Sequence, residues 1–320
     1  MSGRTDFLNA LGCHDTAAVP RWELEFHAFD AASGRQLVLG REFERLTAGE
    51  KESALRTNAE IVVSVSEELG FGAVTGPGSY WEQAPGELAY WVLPGDAPFR
   101  QIAALREAAG GGLALVANAG GVLGASYDEE FCRKLKHDPD AIDALALKTL
   151  DTGLERARRF RDAGADAALS ASDVADNSGP FFRPHQMERF VFPYVEAWAA
   201  GVHALGMAAV LHSDGDLTPH LDALSWTQLD ALQAIDPVAG MDLVRSKDVV
   251  GDRLCLCGNV DCGLLVAGTP DAVYEATRGL LAAWGKRRGL VLGASNAVQR
   301  EVPIENYRAL VRAWKDAGAS

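Results

Sequence analysis

Short apolar runs, each ending in a polar or glycine residue, recur along the whole chain. Eight stand out: 20–27 (PRWELEFH), 72–77 (GAVTGP), 113–118 (LALVAN), 167–173 (AALSASD), 208–213 (AAVLHS), 230–235 (DALQAI), 253–259 (RLCLCGN) and 290–295 (LVLGAS). Runs of this length read as strands. Segments with helical spacing lie between most of them. The clearest is 184–206, which opens with Pro184 and spaces Met187, Phe190, Val191, Tyr194, Val195 and Trp198 as one helix face would. Thr269 and Pro270 open a second helix over 270–286, and Pro303 a third over 303–317. The polar stretch 41–60 also reads as helix. Strand and helix alternating eight times predict one (β/α)₈ TIM barrel over residues 1–320. An open doubly wound sheet is the alternative, but no GxGxxG turn follows the first run, and the glycines of GGGLAL precede a strand rather than follow one.

Composition agrees. The chain has 320 residues, 48% of them hydrophobic, enough for one large core. Thirty Lys and Arg against 44 Asp and Glu give a net charge of −14, which disfavours nucleic acid and anionic membrane surfaces as partners. No apolar run reaches the roughly 18 residues a membrane span needs. The opening MSGRTDFLNALG has no signal-peptide character, so a cytoplasmic location is expected. The five cysteines are odd in number and argue against a disulfide framework.

Barrel active sites lie at the C-terminal ends of the strands. Those ends carry Glu25 and His27, Asn118, Asp173 and Asp176, His212 and Asp214, Gln233 and Asp236, Cys257, Asn259 and Asp261, and Ser295 with Asn296. The stretch LHSDGD, 211–216, draws most attention. His212 and Asp214, spaced i, i+2 on extended chain, point the same way, as two ligands of one metal or an acid–base pair would. Gly215 should relieve the turn that follows, and Asp216 should serve the next helix start. Cys257 is either a small core residue or a third ligand. In WELEFH, Trp22, Leu24 and Phe26 alternate with Glu23, Glu25 and His27, and the polar set is expected to face inward.

Four stretches in order, SDVADNSGPFFRPHQMERFVFPYVEAWAAGVHALGMAAVLHSDGDL, CGNVD, GTPDAV and VPIENYRALVRA, resemble the uroporphyrinogen decarboxylase superfamily. The likeness runs from about residue 165 to the C-terminus, with weaker support from VPRWELEF. It implies a (β/α)₈ barrel and one of two chemistries. One branch decarboxylates uroporphyrinogen without metal. The other moves methyl groups to or from a corrinoid protein, and its thiol-methylating members bind zinc. The decarboxylase branch carries paired arginines after the first strand, where this chain reads HAFDAASG, and an aspartate after the second, where it reads FGAVTGPG. A polyanionic tetrapyrrole needs several cations, and Arg183 is the main one expected at the mouth. The zinc-thiol branch carries His-x-Cys after the fifth strand and Cys after the eighth. Here His212 matches, Asp214 replaces the first cysteine, and Asn296 or Ser295 replaces the last.

The expectation is therefore a methyltransferase-like enzyme acting on a small methylated compound with a corrinoid partner protein. His212, Asp214 and Asp173 would carry the chemistry. Glu25, His27, Asp176, Arg183, Gln233, Asn259, Asp261 and Asn296 would line the substrate site. Zinc, if used, would sit on His212, Asp214 and Cys257, with Glu25 or His27 as a fourth ligand. A homodimer is the expected assembly. The alternative is a metal-independent decarboxylase or lyase of a small carboxylated substrate other than uroporphyrinogen. A barrel that binds a ligand without turnover is a third reading, disfavoured by so many titratable strand ends.

Overall fold

A computed structural model of the chain describes residues 3–78, 82–84, 87–88 and 91–318, the two short pieces as backbone only. Seven of the eight apolar runs form one parallel sheet. Its strands are β1 (Ala73–Thr75), β2 (Ala114–Asn118), β3 (Ala167–Ala171), β4 (Ala208–His212), β5 (Ala231–Gln233), β6 (Cys255–Val260) and β7 (Leu290–Ala294), neighbours in that order. Helices alternate with them, including Ala48–Leu69, Ala97–Ala109, Pro139–Asp162, Phe192–Ala204, Pro270–Trp284 and Ile304–Gly318. The helical run expected over 184–206 is present, with a π-turn at Met187–Val191. Thr269 caps the helix it was expected to cap, its Oγ1 accepting the Ala272 N–H at 3.2 Å. Among the described residues no helix is long and apolar enough to cross a membrane.

The strands are apolar on both faces because both are covered. Ala114, Val116, Ala167, Leu169, Val210, Ala231, Cys255, Cys257 and Val291 pack together on the inner face. The alternate residues Leu115, Ala168, Leu211, Leu232, Leu256 and Leu292 join the larger core under the helices. The helix Gly3–Leu11 packs Phe7, Ala10 and Leu11 into the inner cluster, and the Arg4 N–H bonds Gly112 O just before β2. It thus covers the end of the sheet where the strands begin, leaving the opposite end open for chemistry.

The eighth run, 20–27, is not a regular strand. It touches the sheet through isolated parallel bridges, Arg21 to Leu292 and Phe26 to Val298. The Trp22 N–H bonds Leu292 O at 3.1 Å, and the Gly72 N–H, just before β1, bonds Arg21 O at 2.8 Å. The segment therefore bonds to both outer strands' neighbourhoods. Glu23 explains the irregularity: its carboxylate takes the Ala294 N–H at 2.8 Å and the Tyr307 hydroxyl at 2.6 Å. A side chain thus occupies a ladder position that a backbone carbonyl would fill.

The alternation in this run also differs from expectation. Trp22 and Leu24 face the inner cluster, while Arg21 and Glu23 turn outward to Tyr307. A bend at Leu24 then shifts the phase by one residue. Phe26 packs outward against Phe29, Phe71 and Tyr307, leaving Glu25 and His27 on the opposite face.

Gly293 makes this docking feasible, since a Cβ there would lie 2.2 Å from the Trp22 carbonyl oxygen. Gly293→Ala should lower unfolding free energy by roughly 1–3 kcal/mol, the usual cost of overpacking. Gly279→Ala, on an open helix face with nothing within 4 Å, should instead stabilise by about 0.5–1 kcal/mol. Urea titrations of the two variants check this; equal stabilities would contradict it.

Candidate active site

Strand register builds the site. Ala171 on β3, His212 on β4 and Gln233 on β5 are direct cross-strand partners. Val210 and Ala231 face inward, so His212 and Gln233, each two residues later, do the same. Asp173 and Asp214 follow on the loops just beyond. The Ser172 N–H bonds His212 O at 2.9 Å, and the Val174 N–H bonds Ser213 Oγ at 3.0 Å, tying the two loops together.

His212, Asp173 and Asp214 converge. Their ligand atoms lie within 4.8 Å of one another. His212 Nε2 is 3.6 Å from Asp173 Oδ1 and 3.9 Å from Asp214 Oδ2. The Asp214 N–H holds Asp173 Oδ1 at 3.0 Å. Asn296 donates through Nδ2 to Asp214 Oδ2, and its own Oδ1 accepts the Ala297 N–H at 2.6 Å. Asp214 Oδ1 is buried without a hydrogen-bond partner. Burial pushes the Asp214 carboxyl up to about 6; His212 opposes the shift, while the charges of Asp173 and Asp236 add to it.

An open cavity of about 490 Å³ adjoins this cluster, lined by Tyr127, Asp173, Asp176, Ser178, Asp214 and Gly215 among others. Among the described residues no Lys or Arg lines it. Asp176 accepts the Tyr127 hydroxyl at 2.7 Å, joining the loop after β2 to the hairpin Ala175–Pro180. Gly215 has φ +89°, and a Cβ would meet Ala175 and Asp176 backbone atoms at 2.6 Å. It therefore both turns the chain and admits that hairpin, which no side chain would allow. Asp216 turns away as expected, its Oδ1 accepting the Thr218 N–H at 2.9 Å where the next helical turn begins.

Glu25 and His27 form a second buried pair, 2.7 Å apart, with the His27 ring stacked on Trp91 at 4.1 Å. Burial raises Glu25 well above the carboxylate range, against a Trp91 hydrogen bond. Burial first, and then the charge of Arg300, lowers His27 to about 4. Burial thus shifts both groups of the pair toward their uncharged forms.

The structure places the remaining expected residues as follows. Cys257 packs in the inner hydrophobic cluster beside Cys255 and is not among the metal-capable group; Asp173 takes the third place instead. Asp261 is a helix N-cap, its Oδ1 holding the Leu264 N–H at 3.1 Å. Arg183 is exposed at the start of a short helix and does not line the cavity. Asn259 spends its amide on Ile235 O at 2.8 Å. Glu25 and His27 bond each other and are not in the metal-capable group. Tyr127 and Trp91 were not anticipated. Both lie outside the recognisable strand ends, and a lone aromatic in a loop carries no spacing signal.

The family model for uroporphyrinogen decarboxylase (URO-D) matches residues 101–317, well over half of the chain. The chain belongs to this family. The match begins far upstream of residue 165, where the motifs become legible by eye. A uroporphyrinogen decarboxylase from Pseudoalteromonas atlantica is 26% identical over 183 residues, 55% of this chain and 48% of the relative. One from Salinibacter ruber is 33% identical over 155 residues, 48% of this chain and 41% of the relative. The matched stretches thus span about half the length of these relatives. A solved structure of a methyltransferase from Methanosarcina mazei superposes with TM-score 0.75 over 99% of both chains at 19% identity, a likeness of fold.

The Glu25–His27 pair has a pH signature. Glu25 has its folded pKa raised above 4.5, so its contribution to stability is full below about pH 4.5 and is lost as pH rises beyond it. Glu25→Gln lacks this titration. The stability difference, wild type minus variant, should therefore fall between pH 4.5 and 8, as thermal unfolding across that range would show. A difference that grows with pH would mean a true ion pair.

Proposed function

We propose that this protein is a methyltransferase-like enzyme of the uroporphyrinogen decarboxylase superfamily. It would move a methyl group between a small methylated compound and a corrinoid carried by a partner protein. It would work as a single closed (β/α)₈ barrel, with segment 20–27 as the eighth stave. The observation that carries the reading is the His212–Asp173–Asp214 cluster at the strand ends, beside a cavity lined by carboxylates and no cation. That lining disfavours a polyanionic tetrapyrrole, whose carboxylates would meet Asp173, Asp176 and Asp214.

The cluster fits a divalent metal. Among the described residues His212 Nε2 has no hydrogen-bond partner and the buried Asp214 Oδ1 has none either, so two donors stand ready. One nitrogen and two carboxylates suit a borderline ion such as Zn²⁺, and three protein ligands leave a position open for substrate. When bound, such an ion supplies Lewis acidity to the leaving heteroatom of the methyl donor. The chain's own groups do the rest. Asn296 orients Asp214, the Asp214 N–H orients Asp173, and Tyr127 with Asp176 forms the cavity rim. A metal-free carboxy-lyase remains the second reading. Its support is Asp214, a carboxyl pushed up to about 6 and so able to hold a proton near neutral pH.

The test is metal content and methyl transfer on one preparation purified without chelator. We expect close to one equivalent of divalent metal, and methylation of cob(I)alamin by a panel of O-, N- and S-methyl compounds. His212→Ala should lose roughly 10²-fold or more in rate while keeping its circular dichroism spectrum. Full activity of metal-stripped protein, or unchanged turnover in His212→Ala, would overturn the reading.

A further inference from the structure

We infer that Gln233 is a positioning residue that fixes which ring nitrogen of His212 faces the two carboxylates. Gln233 is 1% exposed and sits directly across from His212 in the sheet. Its amide offers one acceptor oxygen and two N–H donors. Its Nε2 donates to two backbone carbonyls at the end of β7, two strands over, Ala294 O at 3.3 Å and Ser295 O at 3.4 Å. Carbonyl oxygens only accept, so turning the amide over would set its oxygen against both. The amide is therefore locked with Oε1 toward His212, where it bonds Nδ1. An amide oxygen also only accepts, so Nδ1 must carry the proton.

A neutral imidazole has one N–H, and here Nδ1 holds it. Nε2 is left as a bare lone pair. It points at Asp173 Oδ1 and Asp214 Oδ2, 3.6 and 3.9 Å away, and bonds neither. The opposite tautomer would place an N–H there and close the gap with a hydrogen bond to a carboxylate. Gln233 thus holds the neutral imidazole in the one tautomer that presents its Nε2 lone pair, beside the two carboxylates, to a cation. The lock runs from β7 through Gln233 to His212, so the strand register itself selects the tautomer.

The consequence for cation binding rests on the metal reading above, whereas the tautomer does not. Both can be read on metal-free protein labelled with ¹⁵N-histidine, at a pH high enough to keep the imidazoles neutral. The resonances of His212 are identified among the seven histidines by their loss in His212→Ala. Wild type should show Nδ1 protonated and Nε2 unprotonated in long-range ¹H–¹⁵N correlation spectra. Gln233→Met, similar in length but without the acceptor, should lose that pattern and bind Zn²⁺ about 10- to 100-fold more weakly, the usual effect of losing a ligand's orienting partner. A wild-type spectrum with Nε2 protonated overturns the inference even if the variant fails to fold. So does an unchanged tautomer in Gln233→Met. The predicted tautomer in a protein that binds no Zn²⁺ upholds the role of Gln233 and defeats the metal reading instead.

Discussion

The register of three parallel strands governs everything at the open end of this molecule. Ala171, His212 and Gln233 stand abreast on β3, β4 and β5. Side chains alternate with a period of two, so a slip of one residue in β4 would turn His212 out under the helices. Asp214 would follow it, and Asp173 would face an empty wall. Small inner residues, Ala114, Ala167 and Ala231 among them, let the strands curl closely around the interior and hold that register. The helix Gly3–Leu11 packs against the inner cluster from the strands' beginnings, so polar chemistry is left to one mouth.

The cavity beside the cluster gathers negative charge. Asp173, Asp176 and Asp214 share one cavity without a lysine or arginine. Asp214 is buried enough to shift toward protonation, and one of its oxygens has no partner. Such an arrangement costs stability, and proteins keep it where function needs it. The proposed cation would offset this charge directly. On the proposed reading a polyanionic substrate would meet like charge here, and family membership alone would not name the activity.

Much of this was legible in the residues. Seven strands fell where apolar runs ended in polar residues, because strands covered on both faces must be apolar throughout. His212 with Asp214 was legible from i, i+2 spacing, and Gly215 from the turn it had to make. The eighth run was not, because a bend at Leu24 resets the alternation and the Glu23 side chain takes a ladder bond. Cys257 misled because a strand-end cysteine reads alike as ligand and as core; only packing against Val210's neighbours on the inner face decides. Asp261 was ambiguous from the residues, because an N-cap and a site carboxylate share the same place after a strand; the structure shows the N-cap bond. Gln233 drew notice as polar, but its role depends on carbonyls sixty residues away in sequence, at Ala294 and Ser295, which no local pattern reveals.

The central claim is that three side chains from two strand ends form one cation site. A crystal structure of the protein grown with Zn²⁺, with anomalous data collected at the zinc edge, tests it most directly. The account predicts one strong peak bonded to His212 Nε2 and to an oxygen of each of Asp173 and Asp214, at about 2.0–2.2 Å. A peak on Cys257 or on surface histidines alone, or a water-filled cluster with no peak, would contradict it.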